Sequence, residues 1–125
     1  EAGAKRLIPL KVSGPFHTAL LEPASQKLAE TLAQVSFSDF TCPLVGNTEA
    51  AVMQKEDIAQ LLTRQVKEPV RFYESIGVMQ EAGVTNFIEI GPGKVLSGFV
   101  KKIDKTAKLA NVEDQASLEA LLENK

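Results

Sequence analysis

The chain has 125 residues, of which 44% are hydrophobic and 24% are charged, and this is the composition of a globular domain rather than of a disordered or fibrous protein. The formal net charge of −2 gives no reason to expect a nucleic acid as a partner. No apolar run approaches the ~18–20 residues that a membrane-spanning helix needs, so we expect neither a membrane span nor a signal peptide.

The chain contains one cysteine, Cys42, and one histidine, His17. One cysteine cannot form an internal disulfide, and one cysteine with one histidine cannot build a zinc site, so we expect no metal. This cysteine usage predicts a cytoplasmic protein. Cys42 lies beside Pro43 in an apolar stretch, which favours a buried structural thiol over a reactive one. The chain begins with Glu1 rather than Met, which favours a fragment of a longer protein.

The first half of the chain predicts two strands and two helices. Alternating apolar residues predict a strand over 7–12, and Pro9, which lacks a donor, predicts that this strand lies at an edge. Apolar residues three and four apart predict a helix over 22–35. A short apolar run predicts a strand over 41–45, and helical spacing returns over 56–66.

Strands and helices alternate in the second half. The predicted elements are a helix over 70–81 that stops at Gly83, a strand over 86–90, a helix over 94–103, a strand over 107–112 and a final helix capped by Asp114 or Ser117. The inward faces of the two longer helices are predicted to include Phe72, Tyr73, Ile76, Met79, Val95, Leu96, Phe99 and Ile103. This alternation predicts an α/β layer fold with a largely parallel sheet.

His17 follows the first predicted strand on a turn that contains Gly14 and Pro15. Enzymes of the α/β class often place a general base at such a turn, because a neutral imidazole can accept and return a proton within one cycle. A base needs a nucleophile, and no serine here stands in a Gly-x-Ser-x-Gly elbow. The nucleophile is therefore expected on residues outside this sequence. The alternative is a histidine that only forms a hydrogen bond within a loop.

Two further features of the sequence can each be interpreted as a binding site or as a purely structural element. Residues 91–93, Gly-Pro-Gly, join a predicted strand to a predicted helix, where free N–H groups could bind a ligand. The segment matches neither a P-loop nor Gly-x-Gly-x-x-Gly, so a tight turn packed under an active site is favoured. Four lysines could line one face of the following helix and its exit and meet an acidic partner or phosphate groups; otherwise they form a solvated face. They are Lys94, Lys101, Lys105 and Lys108.

Four segments resemble bacterial malonyl-CoA:acyl carrier protein transacylases and together cover nearly the whole chain. Residues 4–17 resemble the strand and histidine loop of that family, and residues 43–47 resemble its Pro-Val-Val-x-Asn strand. Residues 64–72 resemble its Gln-x-x-x-Pro-Val-x-Trp/Phe segment, and residues 87–96 resemble its Glu-x-Gly-Pro-Gly-x-Val-Leu signature. Each motif is modest alone, but four in the right order are specific.

The resemblance implies a C-terminal portion of the family's fold. Residues 1–12 would be the end of a small ferredoxin-like subdomain, and residues 13–125 would be the C-terminal part of a hydrolase-like acyltransferase domain. The serine elbow, the Gly-Gln-Gly-Ser segment and the arginine that grips malonate would lie in the missing N-terminal portion. Arg6, Arg64 and Arg71 do not match the position of that arginine.

The resemblance also implies a reaction and roles for three residues. The family transfers malonyl from coenzyme A to acyl carrier protein in fatty acid biosynthesis, through a malonyl-serine ester and without a metal or redox cofactor. His17 would be the general base, and the backbone carbonyl of Gln65 would hold its Nδ1–H. Phe16 would crowd a 2-methyl group beside the acyl site. From the lysine spacing rather than from the resemblance, Lys101 and Lys105 are expected to hold the acidic carrier protein. Without the missing portion, the chain alone would be inactive.

Two alternatives remain beside this interpretation. One is an acyltransferase domain cut from a polyketide or fatty-acid synthase. The other is a non-catalytic module that uses its lysines to bind an acidic carrier protein. Replacing His17 with Ala would abolish transfer in a reconstituted enzyme and leave a binding module unaffected, whereas charge reversal at Lys101 and Lys105 would do the opposite.

Overall fold

The structure, a computed structural model, describes Gly3, Pro9 and residues 14–123. Its contacts divide the chain into two compact units. The first unit contains the described residues up to Phe40 together with Gln54–Val70, and the second unit contains Thr41–Met53 and the described residues from Arg71 onward. The predicted strand over 7–12 lies outside the described residues except for Pro9, and so does most of the predicted subdomain over 1–12.

The first unit is built on two helices, as predicted. Helix α1 spans Glu22–Leu32 after a 3-10 turn at Ala19–Leu21, and helix α2 spans Ile58–Gln65 after a second 3-10 turn. Pro23 occupies the first turn of α1, where a missing N–H costs nothing. The helix ends at Leu32 rather than at residue 35, because the chain there tightens into short turn bonds such as Val35 N–H to the Leu32 carbonyl.

The two helices pack against each other in the first unit. Ile58 and Leu61 of α2 are buried, as is Ser25 of α1, which is fully buried at 0% exposure. A serine at the most enclosed position of a helix pair is unusual, because a hydroxyl there must find a hydrogen-bond partner inside the protein.

The second unit contains a small parallel sheet flanked by helices. Its elements are α3 (Phe72–Glu81), β1 (Asn86–Ile90), α4 (Val95–Ile103), β2 (Lys108–Val112) and α5 (Gln115–Glu123). The strands pair in parallel, with Asn86 opposite Lys108 and Ile90 opposite Val112. Helix α4 is the crossover that a parallel pair requires, and it contacts both strands. The predicted α/β class with parallel strands is confirmed.

The core of the second unit lies between α3, α4 and the sheet. Three buried side chains form its centre: Ile76, Val100 and Ala107. Partly buried side chains pack around them, namely Phe72, Met79, Phe87, Ile103 and Leu109. The rings of Phe72 and Phe99 meet edge to face with centroids 6.1 Å apart, which links α3 to α4.

The predicted strand over 41–45 is wrong. Only Val45 pairs, in a single antiparallel bridge with Val52, because the chain reverses at once after Gly46. Pro43 has no N–H to extend the ladder. Cys42 is correspondingly exposed, so the expectation of a buried structural thiol is also wrong.

The predicted helix faces are correct only in part. Tyr73 of α3 is 70% exposed, although its spacing predicted an inward position. On α4, Val95 is 62% exposed and Leu96 and Phe99 are also exposed, whereas Val100 is 4% exposed. Apolar residues surround most of α4, so periodicity could not tell which of them meet β1, β2 and α3.

The ends of the second-unit helices follow the sequence signals. Gly83 adopts a left-handed φ of +86° after α3, as expected of a helix stop. Asp114 Oδ1 accepts the Ser117 N–H at 2.8 Å, and Ser117 Oγ accepts the Asp114 N–H at 3.0 Å. Asp114 is therefore the cap of α5, with Ser117 as its reciprocal partner. No helix in the described part of the chain is both long enough and apolar enough to cross a bilayer.

Candidate active site

His17 occupies a strained backbone position in the first unit. Its φ is +58°, in the left-handed region that non-glycine residues rarely adopt, and such residues cluster at functional sites. The turn around it is held on both sides by hydrogen bonds. Thr18 Oγ1 donates to the Pro15 carbonyl at 2.8 Å, and the Leu21 N–H donates to the Thr18 carbonyl at 3.0 Å. The fold thus keeps the histidine in a conformation that it would not choose alone.

The imidazole of His17 is fixed by the backbone of a distant residue. Nδ1 lies 2.8 Å from the carbonyl oxygen of Gln65, 48 positions along the chain. A carbonyl oxygen can only accept a hydrogen bond, so Nδ1 carries the proton and is the donor. In the neutral ring, Nε2 is then the nitrogen with the lone pair. No described residue forms a hydrogen bond with Nε2. The ring is therefore oriented so that Nε2 could accept a proton, and it has no partner among the described residues.

Gln65 can hold the histidine because it is the last residue of α2. The final carbonyls of a helix have no partner within the helix. Here the Arg64 carbonyl accepts the N–H groups of Lys67 and Glu68, and the Thr63 carbonyl accepts the hydroxyl of Ser25 at 2.7 Å. The Gln65 carbonyl accepts the hydrogen bond that the Nδ1–H of His17 donates. A helix C-terminus also carries a partial negative charge.

An apolar groove of about 470 Å³ adjoins the histidine in the first unit. Its lining residues are Phe16, His17, Leu21, Ala24, Leu28, Leu32, Leu62, Gln65 and Val66. Phe16 is 65% exposed, and its ring lies over Gly14, where a Cβ would stand 3.2 Å from Phe16 Cε2. Phe16, His17 and Gln65 therefore lie together along one groove.

Ion pairs surround the end of α2. Lys67 Nζ lies 2.6 Å from Glu22 Oε2 at the start of α1, and this hydrogen bond lowers the pKa of Glu22. Arg64 donates to both carboxylate oxygens of Glu68, from Nε at 2.8 Å and from Nη2 at 2.9 Å, which lowers the pKa of Glu68. Arg64 is thus engaged locally, next to the residue that holds the histidine.

Several known proteins are similar in sequence to this chain. No protein-family model matches the chain. The malonyl CoA-acyl carrier protein transacylase of Bacillus subtilis (strain 168) is 49% identical over 124 residues, which are 98% of this chain and 39% of that protein. The transacylase of Escherichia coli (strain K12) is 41% identical over 123 residues, again 98% of this chain and 40% of that protein. The chain is homologous to part of these transacylases.

Solved structures agree with the sequence matches. The crystal structure of MCAT from Streptococcus pneumoniae has a TM-score of 0.93 and 93% identity, covering 99% of this chain and 41% of that chain. A type II PKS acyl-carrier protein in complex with its malonyl-transacylase gives a TM-score of 0.90 and 45% identity, covering 99% and 40%. The predicted resemblance is confirmed, and the chain spans about two-fifths of the length of the relatives that it matches.

The two lysines of the predicted carrier-protein surface lie in the second unit. Lys101 is in the last turn of α4 and Lys105 is in the turn that follows, and both are exposed. Within the described residues, neither forms an ion pair. The neighbouring Lys102 instead places its ammonium 5.9 Å from the ring centroid of Phe99. Lys101 and Lys105 are thus available to an acidic partner.

The Gly-Pro-Gly turn is a packed connection, because its helix start is already occupied. The carboxylate of Glu89 accepts the N–H groups of Leu96 at 3.1 Å and Ser97 at 2.7 Å. The hydrogen bonds from Ser97 are the main cause of the lowered pKa of Glu89. The Gly93 N–H donates to Glu113 Oε2 at 3.0 Å. A ligand anion would have to displace these carboxylates, which disfavours the alternative that this turn binds a ligand through its free N–H groups.

Asn111 holds the same turn from β2. Its Nδ2 lies 2.7 Å from the Gly93 carbonyl and 3.3 Å from the Glu89 carbonyl. Gly91 and Gly93 adopt φ values of +142° and +83°, which only glycine takes without strain. Neither Asn111 nor Ser25 was predicted from the sequence. Each forms its hydrogen bonds with a distant segment of the chain, and such a contact produces no recognisable local sequence pattern.

Proposed function

We propose that this chain is the C-terminal portion of a malonyl-CoA:acyl carrier protein transacylase and supplies its general base. The observation that carries the proposal is the 2.8 Å contact from His17 Nδ1 to the Gln65 carbonyl, which leaves Nε2 free. The match of 98% of the chain to the Bacillus subtilis transacylase supports it. The nucleophilic serine, the oxyanion hole and the arginine for the malonyl carboxylate would come from the remainder of the enzyme.

In the first half-reaction, His17 Nε2 accepts the proton of the serine hydroxyl as its oxygen attacks the thioester carbonyl of malonyl-CoA. A C–O bond forms, and the C–S bond breaks when the tetrahedral intermediate collapses. The imidazolium returns its proton to the departing sulfur, so coenzyme A leaves as the thiol. The enzyme then carries malonyl as a serine ester, and the histidine is neutral again.

In the second half-reaction, the phosphopantetheine thiol of acyl carrier protein replaces coenzyme A. Nε2 accepts the thiol proton, the sulfur attacks the serine ester, and the C–O bond breaks. The proton then passes to the serine oxygen, which restores the enzyme. In both half-reactions Nε2 acts first as the base and then as the acid. The ring must therefore keep its other proton on Nδ1, and the hydrogen bond to the Gln65 carbonyl would hold it there.

The neutral carbonyl takes the place that a carboxylate holds in a three-member triad. A triad carboxylate orients the imidazole and stabilises its cation. Here the 2.8 Å hydrogen bond orients the ring, and the C-terminal end of α2 contributes partial negative charge beside it. We therefore propose a Ser-His pair supported by a helix end.

Two further roles belong to this proposal. Phe16 would narrow the acyl site next to His17, and the exclusion of one methyl group by such a wall is worth about 1–3 kcal/mol, which gives moderate selectivity for malonyl. Lys101 and Lys105 would attract the acidic carrier protein and raise its association rate. Residues 13–125 would be the C-terminal part of a hydrolase-like domain, and residues 1–12 the end of a ferredoxin-like subdomain.

A second acceptor is favoured by one relative. The 45% identical malonyl-transacylase is bound to a type II PKS acyl-carrier protein. A carrier protein of polyketide synthesis is therefore a second candidate acceptor for this chain, beside that of fatty acid synthesis. Rates of malonyl transfer to each purified carrier protein would decide between them.

Intact-mass detection of the malonyl-serine ester tests the proposal. The chain is mixed with the remaining portion of the Streptococcus pneumoniae relative, which is 93% identical over the matched part, and exposed to malonyl-CoA. We expect an adduct on the added portion, only in the mixture, that forms about 100-fold more slowly or worse with His17→Ala. An adduct on this chain alone, or equal rates with and without the histidine, would contradict the proposal.

A further inference from the structure

We propose that Ser25 is a positioning residue for His17, because its buried hydroxyl fixes the first turn of α1 against the last turn of α2. The inference rests on the proposed role of His17 as a base. It adds a residue that neither touches the substrate nor contacts the imidazole. Its effect would pass through the carbonyl-bearing end of α2 to the 2.8 Å bond between His17 and Gln65.

Three contacts join the same two segments. His17 Nδ1 donates to the Gln65 carbonyl at 2.8 Å, and Ser25 Oγ donates to the Thr63 carbonyl at 2.7 Å. Lys67 Nζ lies 2.6 Å from Glu22 Oε2. One member of each pair lies on the turn and helix start at 17–25, and the other lies in the last turn of α2 or just beyond it, at 63–67. The contact to the base is therefore one of a set that a shift of either segment would change together.

The segment between His17 and Ser25 is constrained, so a shift of Ser25 would also move His17. The Leu21 N–H donates to the Thr18 carbonyl at 3.0 Å, and the 3-10 turn at Ala19–Leu21 runs directly into α1. Few free dihedrals remain between His17 and Ser25. A displacement of the start of α1 is thus passed to the imidazole rather than absorbed by a loop.

Burial makes the serine the stronger of the two tethers. Ser25 is 0% exposed, so water cannot reach its position and replace the hydroxyl if it is removed. The Glu22–Lys67 pair has side-chain exposures of 45% and 28%, and a partly exposed ion pair contributes little and is screened by salt. The Thr63 carbonyl would lose its described donor in a Ser25→Ala variant.

The first experiment measures the tautomer of His17 in the chain itself. His17 is the only histidine, so its ring nitrogens are assigned in an NMR spectrum without ambiguity. We expect the wild-type ring to carry its proton on Nδ1. In Ser25→Ala the Nδ1–H proton should exchange with water about two- to tenfold faster, and the Nε2–H tautomer should gain population.

A matched control separates positioning from helix stability. Thr31 lies on the same helix, and its Oγ1 donates to the Lys27 carbonyl one turn earlier, at 3.2 Å. Thr31→Ala removes a side-chain-to-backbone bond within α1 and leaves the contact to α2 intact. We expect its tautomer and exchange rate to match the wild type. An equal change in both variants would overturn the inference.

Kinetics in the reconstituted transacylase give the second readout. We expect Ser25→Ala to lower kcat about two- to tenfold with KM for malonyl-CoA unchanged, and Thr31→Ala to keep both within twofold. Ser25→Cys, which keeps a weak donor of similar size, should recover part of the lost kcat. A loss of folding in both Ser25 variants would overturn the inference, because Ser25 would then act on stability alone. Loss of transfer in His17→Ala with no effect of Ser25→Ala would refute the positioning role and leave the proposed function standing.

Discussion

The left-handed backbone conformation of His17 leads to a prediction about the relative stability of two His17 variants. We compare His17→Gly with His17→Ala, since both variants remove the imidazole and its hydrogen bond to Gln65. At φ +58°, Ala keeps a strain of about 1–2 kcal/mol that Gly does not have. Gly lowers the free energy of unfolding by about 0.5–1 kcal/mol relative to Ala, because it has greater conformational freedom in the unfolded chain. We therefore expect His17→Gly to be the more stable variant by about 0.5–1 kcal/mol.

Urea denaturation of the two variants measures this difference from their midpoints and slopes. The control is Ala29→Gly in the middle of α1, which should destabilise the chain by about 1 kcal/mol, as glycine does in a helix interior. In the reconstituted enzyme, both His17 variants should lose about 10²–10⁴ in kcat. A His17→Gly variant that is less stable than His17→Ala would refute the claim that the fold holds this histidine under strain.

Three further predictions concern the second unit. Ile76→Ala should lower the free energy of unfolding by about 2–5 kcal/mol, measured in urea, because Ile76 is 3% exposed at the centre of the core; no change would mean that this cluster does not support the fold. Glu89 ionises more readily when folded, so it stabilises the fold above its ordinary pKa of 4.5 and loses this effect as the pH falls through its lowered pKa. Glu89→Gln should therefore flatten the acid side of a stability–pH profile, and an unchanged profile would contradict its role at the start of α4. Lys101→Glu with Lys105→Glu should weaken carrier-protein binding more at low salt than at high salt in a titration, while leaving the formation of the malonyl ester unaltered; equal binding at low salt would exclude this surface.

The sequence predicted those elements whose signals are local. Apolar spacing located α1, α2, α3 and α4, and a short apolar run after Gly83 located β1. The strand over 41–45 failed because five apolar or small residues do not reveal whether a partner strand continues beside them. Only Val45 found a partner, across a turn that begins at Gly46.

The sequence could predict which residues belong to the candidate site, but not all of the contacts that hold them in place. His17 stood out as a histidine on a turn, and the resemblance added Gln65 as its partner 48 positions away. Periodicity alone cannot find such a contact. Nor could it show that Ser25 is fully buried, since one helix face is known only when its neighbour is known. The left-handed φ of His17 likewise depends on hydrogen bonds on both sides of the turn.

The parallel pair of β1 and β2 has a consequence for handling the isolated chain. Parallel sheets are normally covered on both faces, yet Ile88 is 51% exposed and Ile90 is 82% exposed. No described strand other than its partner pairs with either β1 or β2, so the outer edges present unpaired backbone groups beside bare isoleucines. Concentrated samples should therefore form intermolecular ladders and precipitate with time. Ile90→Lys would place a charge at the end of β1, and we expect it to reduce this aggregation.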